Sequence, residues 1–170
     1  MSDALIIRYT HQGDTPKILH FIQALAEYEK LSHQCVVTES QLKETLFGER
    51  AYAEVVIAEW QGQACGFALF FHTYSTFLGK PGIHLEDLFV EPDFRGKGIG
   101  KELLAFLAKT AIDRGCGRLE WVVLDWNQPS IDFYRSQKAD SLDDWMTFRL
   151  SDEHLQNLAN QATAKVVRPE

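Results

Sequence analysis

The stretch from Leu85 to Leu104, LEDLFVEPDFRGKGIGKELL, places a glycine-rich turn between two regular elements. Its first residues alternate like a strand, and its last residues have helical spacing. The turn between them holds three glycines and the basic side chains of Arg95 and Lys97. A helix N-terminus offers unpaired N–H groups and a partial positive charge, and glycines allow an anion to approach the backbone closely. This pattern predicts a pyrophosphate site.

Two familiar phosphate-binding patterns do not fit the turn. The Walker pattern GxxxxGK[ST] fails because Gly100 and Lys101 are followed by Glu102. The dinucleotide pattern GxGxxG fails because Gly96 to Gly100 gives GxGxG, which is one residue short. Several predicted strands also precede it, so it does not open a βαβ unit. On this pattern alone, a plain glycine-rich turn without a ligand remains the alternative.

The rest of the chain predicts one mixed α/β domain over residues 1–170, with a tail that frays after about residue 162. Besides the strand of the opening stretch, strands are expected at Ala4–Tyr9, 52–60, 65–75, 118–126 and 145–150. Helices are expected from Asp14 onwards and at Thr38–Phe47, 98–114, 127–137 and 151–161. The largely apolar run 118–126 is expected to be a central strand. Ser151 is expected to cap the last helix.

Composition narrows the class of protein. The net charge of −7 argues against nucleic-acid binding and suits a cationic substrate. The cysteines Cys35, Cys65 and Cys116 are too widely spaced for a metal site. We therefore expect no bound metal, and we expect the three cysteines to be reduced thiols. No signal-like start and no apolar stretch of about 20 residues is present in the sequence. We therefore expect a soluble cytoplasmic protein without membrane or nucleic-acid partners.

Four segments carry a resemblance to a known family. The sequence RGKGIG matches the R-x-x-G-x-G pyrophosphate signature of the GNAT superfamily of acyl-CoA-dependent N-acetyltransferases. Within that superfamily the chain resembles the spermidine/spermine N-acetyltransferase group of diamine, polyamine and thialysine acetyltransferases, from about Ile6 to Ala159. The matching segments are LAEYEKL (Leu25–Leu31), GFALFFHTYSTFLGKPGIHLEDLFV (Gly66–Val90), RGKGIG (Arg95–Gly100) and DWNQPSIDFY (Asp125–Tyr134).

The resemblance implies a fold and an activity. The expected fold is the GNAT fold, a mixed and mostly antiparallel sheet with splayed central strands and flanking helices. The expected activity is direct acetyl transfer from acetyl-CoA to a small cationic amine in a ternary complex. Polyamines and diamines come first as acceptors and thialysine-like amino acids second, and a homodimer is implied. The alternatives are acetylation of a protein N-terminus or lysine, and a CoA-binding sensor without catalysis.

The same resemblance assigns residues to the cofactor. Main-chain groups of Leu88, Phe89 and Val90 would pair with the pantetheine arm, and an N–H there would donate to the thioester oxygen. Tyr134, a phenol, would donate a proton to the departing thiolate. Asn127 would cap a helix, hold the pantetheine, or do both. The full predicted cofactor set is Leu88, Phe89, Val90, Arg95, Gly96, Lys97, Gly98, Ile99, Gly100, Lys101, Asn127, Pro129, Ser130 and Tyr134.

The amine acceptor is expected to meet Tyr28, Glu29, Glu86 and Asp87. An alkylammonium with a pKa of about 10 must lose a proton before it attacks, and Glu86 is the candidate base. Asp87 would bind the distal charge or stabilise a neighbouring loop. Trp126 would either pack on a cation or fill the core, and the core is the favoured interpretation.

The sequence departs from the resembled group at two positions. His84 stands where a tyrosine or a similar residue usually precedes the Leu-Glu-Asp run. Lys138 stands where a glycine is expected after Tyr134. Both positions are expected to influence the choice of amine, and neither removes a group that acetyl transfer needs.

Overall fold

In the computed structural model, residues 5–169 are described and fall into two compact units, with the boundary between Asn127 and Gln128. The strands are β1 (Leu5–Tyr9), β2 (Glu54–Trp60), β3 (Gln63–Ser75), β4 (Lys80–Val90) and β5 (Leu119–Trp121). The helices are α1 (Thr15–Tyr28), α2 (Glu39–Phe47), α3 (Ile99–Asp113), α4 (Gln128–Ser136) and α5 (Asp152–Ala159). The predicted first strand began at Ala4, which lies outside the described residues.

The strands form one sheet in the order β1-β2-β3-β4-β5. Each neighbouring pair from β1 to β4 is antiparallel, and β4 pairs with β5 in parallel. Gln61 and Gly62 turn the β2–β3 hairpin with positive φ angles of 51° and 81°, as two-residue hairpin turns require. The helix α3 connects the parallel pair β4 and β5, so the predicted mixed sheet and its strand-helix-strand connection are confirmed.

Helices α1 and α2 cover one face of the sheet. Proline 16 lies in the first turn of α1, and Thr38 forms the predicted capping box with Gln41 at the start of α2. The ring of Phe21 stacks on Phe67 of β3 with centroids 5.4 Å apart. The buried core on this face consists of Ile18, Phe21, Leu42, Leu46, Val55, Ile57, Phe67 and Phe89.

Helix α3 packs on β3, β4 and β5 through a separate set of side chains. Ile99, Leu103 and Leu107 are buried at helical spacing along it. Phe106 meets Tyr9 of β1 edge to face, with ring centroids 5.7 Å apart, so the helix reaches across the sheet. Burial of this apolar stripe fixes α3, and thereby its N-terminus, against the end of β4.

The expected central strand at 118–126 is wrong in both length and position. Only Leu119–Trp121 forms β5, and it stands at the end of the strand order. Val122 is 70% exposed. The apolar run predicted a central strand with a neighbour on each edge. Among the described residues, no strand lies beyond β5 to pair with its outer edge.

The second unit contains α4 and α5, and the strand expected at 145–150 is absent from its described residues. Trp145 and Phe148 are 79% and 86% exposed, so the alternating apolar side chains have no surface on which to pack. A strand needs both a backbone partner and a covered face, and this segment has neither. Ser151 occupies the N-cap position of α5, but its side chain makes no capping hydrogen bond, which corrects the expected cap.

No helix between residues 5 and 169 is both long and apolar enough to cross a membrane. The same residues contain no group of three or more His, Cys, Asp or Glu side chains arranged to hold a metal ion.

Candidate active site

The glycine turn joins the end of β4 to the start of α3. Gly96 and Gly98 have φ angles of 77° and 81°, in the left-handed region that favours glycine. A Cβ at either position would meet nothing within 4 Å, so the backbone conformation rather than crowding requires glycine there. Gly98 is the N-cap of α3 and has no side chain to cap it. The first N–H groups of the helix therefore receive no side-chain cap from Gly98, which fits an anionic group such as a pyrophosphate.

The other residues of the turn divide into exposed and buried side chains. Lys97 and Lys101 are exposed and add positive charge beside the helix N-terminus. Ile99 is 1% exposed, so its side chain belongs to the core and only its main chain is available to a ligand. The loop and the helix thus present main-chain donors and two flexible cations.

Strands β4 and β5 separate beyond a short paired region. Their register pairs Ile83 with Leu119 and ends at Leu85 with Trp121. The rest of β4, through Val90, continues to pair with β3. One edge of β4 from residue 86 onwards is therefore without a strand partner among the described residues, which is the expected splay. The main chain of Leu88, Phe89 and Val90 lies along this edge.

The side chain of Phe89 is committed to packing, whereas those of Leu88 and Val90 are half-buried. Phe89 is buried in the α1-face core, and a Cβ at Gly66 of β3 would lie 2.7 Å from the Phe89 carbonyl oxygen. The carbonyl of Val90 accepts a hydrogen bond from Arg95 Nε at 2.9 Å. The predicted role of Leu88, Phe89 and Val90, main-chain contacts with the pantetheine arm, stays a prediction.

Glu86 is the extra residue of a β-bulge. The β3–β4 register pairs Leu69 with Asp87 but Phe70 with Leu85, so Glu86 has no opposite residue. Bulges re-aim side chains and are common next to active sites. The Glu86 side chain is 56% exposed, and its Oε2 lies 3.6 Å from His84 Nε2.

Asp87 occupies a different environment from its neighbour. Burial, and to a smaller extent the negative charges of Glu86 and Glu29, raise the pKa of Asp87 to about 7. Burial also raises the pKa of Glu29, which directly follows α1. Three of the four predicted acceptor residues thus form one acidic group, and the side chain most able to hold or release a proton near neutral pH is Asp87.

The fourth predicted acceptor residue, Tyr28, ends α1 and contacts the loop after β5. Its hydroxyl donates to Asn127 Oδ1 at 3.0 Å, and Asn127 is 4% exposed. Its ring lies 6.4 Å from that of Trp126, centroid to centroid. The favoured core position of Trp126 is wrong, because the side chain is 47% exposed and carries the ammonium of Lys30 at 5.2 Å from its ring centroid.

Helix α4, in the second unit, carries the remaining predicted residues. Pro129 lies in its first turn, as expected, and Ser130 and Tyr134 are half-buried. The ring of Tyr134 contacts that of Phe133 with centroids 5.3 Å apart. The proton-donor role of Tyr134 stays a prediction.

The sequence did not reveal two features of this site. Arg95 was assigned to the pyrophosphate, yet its guanidinium also lies over the ring of Tyr28. The sequence assigns no role to Lys30, yet its ammonium lies over the ring of Trp126. The backbone of Lys30 has a φ of 62°. Contacts between residues so distant in sequence leave no local pattern. The aromatic residues in LAEYEKL and DWNQPSIDFY were the available hint.

The model of the acetyltransferase (GNAT) family matches residues 22–138. The chain belongs to this family. GNAT acetyltransferases use acetyl-CoA as co-substrate. This protein is therefore an acetyl-CoA-dependent N-acetyltransferase. The place of acetyl-CoA at the glycine turn and along the edge of β4 stays a prediction.

Two named relatives and one solved structure are similar to most of the chain. A thialysine N-epsilon-acetyltransferase of Sus scrofa is 37% identical over 169 residues, which cover 93% of this chain and 99% of the pig protein. An L-ornithine N5-acetyltransferase of Arabidopsis thaliana is 31% identical over 195 residues, covering 88% of this chain and 86% of the plant protein. An integron cassette protein of V. cholerae superposes with a TM-score of 0.79 at 25% identity, covering 94% of this chain and 100% of that one.

Proposed function

We propose that this GNAT enzyme acetylates a primary amine of a small cationic acceptor, namely a polyamine, a diamine or a thialysine-like amino acid. The observation that carries the proposal is the acidic group of Glu29, Glu86 and Asp87 beside Tyr28. Such a group attracts an acceptor that bears more than one ammonium. The names of the pig and plant relatives, which specify thialysine and ornithine, support an acceptor of this class.

One carboxylate of the group accepts the proton that the attacking amine must lose. Glu86 is the candidate from the family resemblance, and its place on the bulge supports that role. Asp87 is the alternative, because a pKa of about 7 suits a general base at neutral pH. In either case the other carboxylate binds the acceptor's charge.

Acetyl-CoA would be held at its pyrophosphate by the turn from Arg95 to Lys101 and at its pantetheine arm by main-chain groups of β4. Asn127, Pro129 and Ser130 would complete its site. A main-chain N–H of β4 would donate to the thioester oxygen, and Tyr134 would donate a proton to the leaving thiolate. The amine attacks directly, so no covalent enzyme intermediate is formed.

Turnover with a panel of acceptors tests the proposal. The purified protein is mixed with acetyl-CoA and, separately, with spermidine, 1,3-diaminopropane, L-ornithine, thialysine and a lysine-containing peptide, and free thiol and product mass are measured. We expect turnover with at least one small amine and intersecting initial-velocity plots. Turnover of the peptide alone indicates a protein acetyltransferase. Binding of acetyl-CoA without any turnover indicates a sensor, and parallel plots contradict direct attack.

Three substitutions test the proposed roles. Tyr134→Phe is expected to lower kcat by about 100-fold while acetyl-CoA affinity changes little, because only the proton donor is lost. Tyr74→Phe, at an exposed tyrosine, is the matched control. In the pH–rate profile, the acid limb should shift in Glu86→Gln if Glu86 is the base and in Asp87→Asn if Asp87 is. An unchanged profile in both variants rejects the carboxylate base.

The proposal includes a homodimer, which the family resemblance implies. Light scattering on the eluting peak of a size-exclusion column gives the mass directly, and a mass of about one chain at micromolar concentration contradicts the dimer.

A further inference from the structure

The side chain of Arg95 folds back from the pyrophosphate turn onto the end of α1. Its guanidinium carbon lies 5.0 Å from the ring centroid of Tyr28 and 5.5 Å from that of Phe89. Its Nε donates to the Val90 carbonyl at 2.9 Å. The hydrogen bond from Nε fixes one end of the guanidinium group, and the rings of Tyr28 and Phe89 each contact it. The side chain of Arg95 therefore makes three separate contacts.

The ring of Tyr28 is held from the other side as well. Its hydroxyl donates to the amide oxygen of the buried Asn127, and its ring lies 6.4 Å from that of Trp126, centroid to centroid, at an angle of 44°. Arg95 therefore supplies the contact with the ring itself, while Asn127 fixes the hydroxyl. Removal of either contact leaves the ring restrained at one end only.

The position of Tyr28 matters because it immediately precedes Glu29. Glu29 contributes to the negative potential that acts on Asp87. A shift of the last turn of α1 would move this carboxylate relative to β4. Arg95 also opens the turn that is proposed to hold the pyrophosphate, so one residue links the two halves of the proposed site.

We propose that Arg95 is a positioning residue for the amine acceptor, which fixes Tyr28 by stacking and thereby couples acetyl-CoA binding to acceptor binding. This inference rests on the proposed function, since it concerns the acceptor side of the same site. Coupling of this kind is reciprocal: bound CoA increases the affinity for the amine by the factor by which the amine increases the affinity for CoA.

The substitution Arg95→Lys separates two roles of the arginine, its charge beside the pyrophosphate and its stacking on Tyr28. Lysine keeps the positive charge for a pyrophosphate, but it lacks the flat guanidinium that stacks on a ring and the Nε that donates to Val90. We expect Arg95→Lys to raise the KM for thialysine or spermidine about tenfold at saturating acetyl-CoA, within the usual range of coupling between sites. The Kd for CoA, measured by calorimetry, is the second readout: a rise in this Kd as large as the rise in the amine KM would place the effect of Arg95 at the pyrophosphate and overturn the inference.

A double-substitution cycle identifies the partner of Arg95. If the arginine acts through Tyr28, then adding Arg95→Lys to Tyr28→Leu should raise the amine KM no further. Arg118→Lys is the matched control, because Arg118 pairs with Glu120 on β5 at 2.7 Å, and its replacement should leave both constants unchanged. An amine KM within twofold of the parent in Arg95→Lys, or additive effects in the cycle, overturns the inference.

Failure of the proposed function gives a different result from failure of this inference. If the parent protein turns over no amine, the proposed function fails at that step. The stacking is then tested by urea unfolding of the same four proteins, where Arg95→Lys and Tyr28→Leu should be non-additive in the free energy of unfolding. Additive unfolding energies would show that the two side chains do not act together and would overturn the inference on their own.

Discussion

The hydroxyl of Tyr28 and the amide oxygen of Asn127 form a hydrogen bond of 3.0 Å that ties the end of α1 to the loop after β5. Asn127 is buried, and its own N–H donates to the Leu124 carbonyl at 2.9 Å. A buried acceptor that loses its donor retains its desolvation cost. The bond consequently stabilises the first unit and sets the geometry of the predicted acceptor side.

Tyr28→Phe is expected to lower the free energy of unfolding by about 1 kcal/mol, because it removes this hydrogen bond and keeps the ring. Urea unfolding at pH 7 measures the change from the shift in midpoint at constant slope. Tyr52→Phe is the control, since Tyr52 is exposed and should give a change near zero. Equal stability of the parent and Tyr28→Phe would mean that the bond contributes nothing.

Arg8→Ala is expected to destabilise the protein most at neutral pH. Arg8 holds the buried carboxylate of Asp14 through two hydrogen bonds of 2.8 Å, and this contact lowers the pKa of Asp14 well below its usual value. A lowered pKa stabilises the fold above the unfolded value of about 3.9, and the gain is lost as pH falls below it. Loss of the pair should cost about 2–3 kcal/mol at pH 7, with a smaller difference from the parent in acid.

Urea unfolding at pH 7 and at pH 3 tests this expectation. Arg8 also pairs with Glu59 at 2.9 Å, so Glu59→Gln is the control that leaves the Asp14 contact in place. Glu59→Gln should show a small loss of stability at pH 7. A difference between parent and Arg8→Ala that is the same at both pH values would contradict the assigned role of Asp14.

Asp87→Asn should change how stability depends on pH between about 4 and 7. The pKa of Asp87 is about 7 in the folded protein and about 3.9 in the unfolded chain, so the folded state binds the proton more tightly in this window. The contribution of Asp87 to the free energy of unfolding of the parent therefore falls as pH rises from 4 through 7. Asparagine does not titrate, so the variant lacks this decline and gains stability relative to the parent above pH 7.

Paired urea midpoints at pH 5 and pH 8 measure this effect as a difference between variant and parent, in which other titrating groups cancel. Asp93→Asn is the control, because Asp93 is exposed in the turn after β4. The idea fails if Asp87→Asn and the parent keep the same stability difference at both pH values.

Local signals explain what the sequence predicted of the fold. The start of α1 at Thr15, the capping box of α2 and the Gln61–Gly62 turn each depend on a few neighbouring residues. The glycine turn was identified in the same way, since the positive φ angles of Gly96 and Gly98 are a property of the chain itself. Turns and helix ends can therefore be predicted from the sequence, because their backbone conformation depends on the residue types within a few positions.

Strands that depend on distant partners were predicted less well. The run 118–126 and the segment 145–150 both have strand-like composition, yet three residues of the first and none of the second are in a strand. A strand needs a neighbouring strand and a covered face, and the residues of the segment itself determine neither of them. The site shows the same limit. The family motif identified Arg95, but its contact with Tyr28 depends on packing between elements.

Lys138→Gly is expected to stabilise the second unit, because the backbone after α4 has the form that glycine prefers. The N–H of Lys138 donates to the Arg135 carbonyl at 2.9 Å, and the N–H of Ala139 donates to the Tyr134 carbonyl at 3.3 Å. These two bonds form a Schellman motif, in which the C′ residue is usually a left-handed glycine. Lys138 occupies that position with a φ of 66°.

A non-glycine residue in this conformation costs about 1–2 kcal/mol, and glycine loses part of that gain through its greater freedom in the unfolded chain. We expect a net gain of about 0.5–1 kcal/mol, seen as a rise in thermal midpoint. Arg135→Gly, inside α4, is the matched control with the opposite sign, because glycine in a helix interior costs about 1 kcal/mol. If both variants are destabilised, the left-handed position is not a source of strain, and the lysine there is retained for its charge or its contacts.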